Sequence, residues 1–176
     1  MEIDKKDIRA LTKLQLRDFF VAQGDQSFRG NQVYEWLWSK GAHSFEDMTN
    51  ISKATRTMLE ENFVINHIKV DQMQRSEDGT VKNAVRLHDG LVVESVLIPT
   101  NTRTTACVSS QVGCSLDCNF CATARLKRMR NLEPAEIYDQ VIAIDKESRL
   151  YYNHPLSNIV FMGMGEPLMN YNNVIK

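Results

Sequence analysis

All four cysteines of this 176-residue chain fall within fifteen positions, as Cys107, Cys114, Cys118 and Cys121. Thiols gathered this tightly, with none elsewhere to staple distant loops, do not make a disulfide scaffold; they point to metal or redox chemistry. The densest part reads Cys114-Ser-Leu-Asp-Cys118-Asn-Phe-Cys121, a C-x3-C-x2-C loop. Two chemistries compete for it. A structural zinc ion wants four ligands in a closed tetrahedron, and Cys107 is the available fourth. An iron–sulfur cube held by three thiolates leaves one iron open to a small molecule. Zinc ribbons and knuckles usually present paired C-x2-C units, whereas here a single such unit follows an x3 interval. The spacing favours iron–sulfur.

Charge sharpens the picture around this loop. Lys+Arg total 21 against 22 Asp+Glu, which excludes a polybasic nucleic-acid binder by bulk charge; any such contact must be local. Between residues 101 and 130 the bases Arg103, Arg125, Lys127, Arg128 and Arg130 face a single acid, Asp117. The basic excess thus surrounds the cysteines. A hydrophobic content of 43% supports a packed core rather than disorder. The start, Met1-Glu2-Ile3-Asp4-Lys5-Lys6-Asp7, mixes both charges without the apolar stretch of a signal peptide. No apolar run approaches the ~20 residues of a membrane span, so a cytoplasmic protein with no membrane partner is expected.

The periodicity changes twice along the chain. The first ~60 residues read as helices: Thr12-Lys13-Leu14-Gln15 has capping-box form, Leu16, Phe19 and Phe20 supply a stripe, and Gly24 a stop. Val33 to Trp38 forms a second amphipathic segment, with Trp36 and Trp38 better explained by packing than by base stacking. Ser52 caps a third, burying Met58 and Leu59. From about Asn66 the period is two, and strands are expected over 67–74, 81–87 and 91–98, with turns at Asp78-Gly79 and Asp89-Gly90. A three-stranded antiparallel meander is the simplest arrangement, and Val92, Glu94, Val96 and Ile98 then share one face. Strands at 104–108 and 158–162 flank a helix from Leu132 to about Ser148, which implies a βαβ unit with a parallel sheet. The expected domains are a helical accessory domain at 1–65, linking strands at 66–100 and a core beginning at 101.

The C-x3-C-x-aromatic-C pattern, with Phe120 before the last cysteine, resembles the signature of the radical S-adenosylmethionine (SAM) superfamily. The run Gly163-Met164-Gly165-Glu166 resembles that superfamily's second-strand motif, which meets the amino group of SAM. Upstream, Cys107-Val-Ser-Ser-Gln-Val-Gly-Cys114 resembles a segment of the RlmN/Cfr family of radical-SAM RNA adenine methylases. Phe28-Arg29-Gly30-Asn31-Gln32-Val33-Tyr34-Glu35-Trp36-Leu37, Val93-Glu94-Ser95-Val96, Asn131-Leu132 and Met162 to Leu168 match the same family, nearest its RlmN branch.

This resemblance implies an α+β accessory region followed by the start of an α/β radical-SAM partial (β/α)6 barrel, truncated. It implies a [4Fe-4S] cluster on Cys114, Cys118 and Cys121, with SAM met by Phe120, Gly165 and Glu166. The implied activity is methylation of carbon 2 of adenosine in 23S rRNA and of the adenosine 3′ of certain tRNA anticodons, through a methylated cysteine. Glu94 is then the proton acceptor, its apolar strand suited to a raised pKa, and Cys107 is the resolving thiol of a transient disulfide. Arg125, Lys127, Arg128 and Arg130 become candidates for RNA phosphate contact. An electron donor such as flavodoxin or ferredoxin and a monomeric state complete the expectation. Carbon-8 methylation, as in the Cfr branch, and an RNA-binding or zinc-binding fragment are the alternatives. The chain also departs from the family. From Arg103 onward there are 74 residues, against about 180 for six strand–helix units, and no cysteine follows Cys121. The chain alone is therefore expected to be an amino-terminal portion that cannot methylate RNA.

Overall fold

The computed structural model describes residues 5–176; residues 1–4, part of the start read as no signal peptide, lie outside the described residues. The chain divides into two compact units, one ending at Asn66 and the other running from His67 to Lys176.

In the first unit a two-residue strand, β1 (Lys6–Asp7), pairs in parallel with β2 (Phe63–Val64). Between them lie α1 (Lys13–Ala22), α2 (Phe28–Trp38) and α3 (Lys53–Asn62). The capping box forms as expected: Gln15 N–H donates to Thr12 Oγ1 at 3.2 Å, and Thr12 N–H to Gln15 Oε1 at 2.8 Å. Ser52 caps α3 by accepting Thr55 N–H. Leu16, Phe20, Val33, Leu37, Met48 and Leu59 are fully buried, one helical stripe from each segment meeting in one core. Trp36 and Trp38 pack against its margin. Trp36 donates its indole N–H to Asn50, and Lys40 Nζ lies 4.2 Å above its ring. That is a packing role.

The second unit is built on a five-stranded sheet ordered β3-β4-β5-β6-β9: β3 (Lys69–Arg75), β4 (Val81–Arg86), β5 (Val92–Pro99), β6 (Thr104–Cys107) and β9 (Asn158–Val160). The first four run antiparallel in succession, and β6 pairs in parallel with β9, Cys107 opposite Val160. Two further short strands, β7 (Gln111–Val112) and β8 (Arg130–Asn131), pair with each other and clasp the cysteine loop between them. Sequence periodicity did not reveal this clasp, because two-residue strands carry no period.

Helix α4 (Pro134–Tyr152) links β6 to β9. Glu133 and Glu136 make its capping box, and Pro134 opens the first turn, where a missing N–H costs nothing. The helix runs four residues beyond the expected Ser148, because Arg149 pairs with Asp145 at 2.8 Å and Tyr151 and Tyr152 still pack on the core; Asn153 ends it in the left-handed region at φ 58°. Ile137 and Ile144 are buried against Val85, Val93, Leu97 and Ala106. Strand β9 is two residues shorter than expected. Beyond it the short 167–170 turn leads into α5 (Tyr171–Val174). Among the described residues no helix is long and apolar enough to cross a membrane.

Candidate functional site

The sheet register places the candidate residues. Strand residues alternate between faces, so Val81, Asn83, Val85, Val93, Ser95 and Leu97 form the buried row. Glu94 lies on the opposite face. Val96 is directly opposite Cys107, which puts Glu94 and Cys107 on that one face as diagonal neighbours, roughly 7–8 Å apart at the backbone. Two residues thirteen positions apart in sequence thus come together.

Their surroundings differ from the sequence expectation. Glu94 is not sealed in an apolar row: its side chain is 49% exposed and one carboxylate oxygen stands 2.7 Å from Lys82 Nζ, reaching across from β4. Lys82 was missed by sequence reading, although the hairpin register, Ala84 opposite Glu94, contains the signal. Cys107 is buried, and burial pushes its thiol pKa up, with the Met162 N–H opposing. The accessible thiolate expected of a resolving thiol is therefore not the resting state.

After Cys107 the chain passes Val108, Ser109 and Ser110 into β7, then a tight turn at Gly113 (φ +73°), where an added Cβ would lie 2.2 Å from Lys127 O. Only glycine lets the two arms of the cysteine loop approach so closely. Cys114, Cys118 and Cys121 are all free and half-buried. Leu116 N–H points at Cys114 Sγ at 3.4 Å. The amide N–H groups of Ala124 and Thr123 favour the thiolate of Cys121 and lower its pKa. This donor set fits an iron–sulfur cluster chemically: three free, reduced thiols lie on one loop, and the thiolate of Cys121 is favoured by neighbouring amides. Among the described residues no three Cys, His, Asp or Glu side chains stand gathered around one point. Cys107 lies inside β6 and is buried, unlike the half-buried loop cysteines.

The Gly163–Glu166 turn follows β9 and is bonded to the segment leading into the loop. Ser110 N–H and Gln111 N–H both donate to Met164 O, at 2.9 and 3.1 Å, and Glu166 N–H donates to Gln111 Oε1 at 3.0 Å. Gly165 has φ +90°, and a Cβ there would strike Gln111 at 2.4 Å. The Glu166 carboxylate accepts Leu168 N–H, capping the following turn. Phe120 stands 93% exposed beside the cysteines.

The basic candidates divide. Arg125 and Lys127 are exposed, and Arg128 is exposed with one bond to Asn131 Oδ1. Arg130 is withdrawn from the phosphate-contact set: both its terminal nitrogens bind Glu136 at 2.8 Å and its Nε binds Asp89 at 2.7 Å. Those bonds, the Glu136 ones foremost, raise its pKa further and fix it as a structural cation.

Comparison with known proteins now bears on this arrangement. A crystal structure of a radical SAM methyltransferase from Sphaerobacter thermophilus superposes with TM-score 0.82 at 34% identity, covering 97% of this chain and 50% of that one. The fold and the three-cysteine loop therefore define the first part of a radical-SAM core behind an α+β accessory region. Residues 6–65 match the family model described as Ribosomal RNA large subunit methyltransferase N-terminal domain. The probable dual-specificity RNA methyltransferase RlmN of Flavobacterium johnsoniae is 89% identical over all of this chain and 50% of its own length. That of Cytophaga hutchinsonii is 61% identical over 99% of this chain and 48% of its own. The chain is thus closely similar to RlmN proteins and spans about half the length of the curated relatives it matches.

Proposed function

We propose that this chain is the cluster-bearing part of an RNA methyltransferase that adds a methyl group to carbon 2 of adenosine in 23S rRNA and tRNA. The observation that carries the reading is the junction of a free three-thiol loop with a glycine turn at the end of the adjacent parallel strand. Cys114, Cys118 and Cys121 would hold a [4Fe-4S] cluster, with SAM met by Gly165, Glu166 and Phe120. When bound, cluster and SAM together supply the one-electron cleavage that an unactivated adenine C–H requires.

Residues of this chain serve two later steps, the methyl-carrying cysteine lying outside it. Glu94 accepts the carbon-2 proton, its carboxylate open to solvent on one side and held by Lys82 on the other. Cys107, on the same face, loses its proton when the adduct uncovers it. Its sulfur attacks the sulfur joined to the adenine methylene; an S–S bond forms and the C–S bond breaks. The electron pair passes to the methylene carbon, which takes a proton to become the methyl group. Arg125, Lys127 and Arg128 contact phosphate. A flavodoxin- or ferredoxin-type donor feeds the cluster of a monomeric, cytoplasmic enzyme.

Anaerobic reconstitution with iron and sulfide, on the chain extended to the length of its relatives, tests this reading. The expected product is brown, holds about four iron per chain and changes its spectrum when SAM is added. The Cys118→Ala variant is expected to lose both iron and response. A colourless protein with stoichiometric zinc overturns the proposal.

A further inference from the structure

Ser109 and Gln140 are both fully buried and polar, and neither has a part in the chemistry above. Their bonds are unusually complete. Ser109 N–H donates to Gln140 Oε1 at 2.9 Å, and Gln140 Nε2 donates to Ser109 O at 3.2 Å, so one carboxamide satisfies both backbone groups of one residue. A second donation from Gln140 Nε2, to Glu136 O at 3.2 Å, ties that carboxamide to its own helix, α4. With its backbone clamped, Ser109 turns its hydroxyl between two other segments. Oγ donates to Glu94 O at 2.6 Å and accepts Met164 N–H at 2.8 Å.

The topology gives these two bonds their meaning. Strand β6 lies between β5 and β9, so Glu94 and the turn after β9 are not neighbours in the ladder. Ser109, two residues beyond Cys107, bridges them through a single oxygen. The approach is close enough that a Cβ on Gly163 would sit 2.8 Å from Ser109 Oγ. A buried hydroxyl bonded on both sides has a defined position, and losing the bond from Met164 would strand a buried N–H.

We propose that Ser109, clamped by Gln140, is a positioning residue that sets the separation between Glu94 and the Gly163–Glu166 turn, and hence where bound SAM sits relative to the proton acceptor. The assignment of roles rests on the function proposed above; the latch itself rests on the geometry alone.

The test uses the chain extended to the length of its relatives, as wild type, Ser109→Ala and Gln140→Glu. Hydrogen–deuterium exchange by mass spectrometry reads the 162–166 segment, and electron paramagnetic resonance of the reduced cluster reads half-saturation by SAM. Ser109→Ala is expected to speed exchange in that segment about tenfold, the equivalent of one lost buried hydrogen bond, while exchange in other segments and iron content hold. SAM half-saturation is expected to rise by a similar factor. Gln140→Glu keeps the acceptor and loses the donor; it should show the same pair of effects more weakly, and decides the matter if Ser109→Ala does not fold. Unchanged exchange at 162–166 overturns the latch, and so does a uniform rise across all segments, which marks a purely structural role. A normal SAM titration beside locally faster exchange overturns the positioning role. If wild type itself gives no response to SAM, the functional reading fails instead, and exchange alone decides the latch.

Discussion

Lys82, Glu94 and Cys107 show how far a side chain's chemistry depends on its immediate company. The Lys82–Glu94 pair, with both partners about half exposed, is worth little as a stabilising contact. Its effect is orientational: it restricts where the carboxylate points on the face it shares with Cys107. The cysteines differ from one another for the same local reason. Burial suppresses the Cys107 thiolate, whereas amide N–H groups favour that of Cys121. In the metal-free, reduced protein at pH 7, iodoacetamide is expected to label Cys121 ahead of Cys107, because only the thiolate reacts and Cys107 is also buried. Peptide mapping against time checks it. Equal rates would mean that Cys107 is uncovered at rest.

At the scale of elements, glycine decides how closely segments approach. Gly30 lies where α2 crosses α1, and a Cβ there would meet Arg17 N at 2.6 Å and Leu16 C at 2.8 Å. These are backbone atoms inside a helix and cannot swing aside. Gly30→Ala is therefore expected to destabilise the first unit by about 1–3 kcal/mol, read as a lower urea midpoint. Improved helix propensity returns less than 1 kcal/mol of that. The same reasoning makes Gly24→Ala a useful contrast: nothing lies within 4 Å, and only the positive φ opposes the change. Helix ends follow local rules as well. Thr12 with Gln15, Ser52 with Thr55, and Glu133 with Glu136 each satisfy N–H groups that the helix leaves open.

Across the whole second unit, charge buried between α4 and the sheet sets a pH response. Burial raises the pKa of Glu147, while Asn83 Nδ2, bonded to both its oxygens at 2.8 and 2.9 Å, lowers it; burial wins. A carboxyl with a raised folded-state pKa stabilises fully below its unfolded value, and that contribution is lost as pH rises through the folded value. Asp89 and Asp145 act in the opposite sense. Their burial is outweighed by hydrogen bonds from Arg130 and Arg149, so their stabilisation is present above the ordinary carboxylate range and fades as pH falls. Glu147→Gln removes the titrating group and keeps one carbonyl oxygen to accept from Asn83 Nδ2. The variant is expected to melt higher than wild type at neutral pH, with the gap closing as pH drops below the carboxylate range. A pH-independent gap, read by thermal denaturation, would contradict this account of Glu147.

Much of the molecule was legible from the chain alone, because the signals were local. Three helices in the first unit, the order of strands, the caps and the three-thiol loop all follow from spacings of a few residues. So did the opposite faces of β5, since alternation is a property of any extended backbone. What spacing does not contain is which distant segments touch. Lys82 beside Glu94, Arg130 consumed by Glu136 and Asp89, Cys107 buried rather than exposed, and Ser109 bridging β5 to the turn after β9 depend on register and on how α4 docks. Hydrogen bonds and ion pairs act over about 3 Å, a range that only the folded chain brings to these residues, six to fifty-five positions apart.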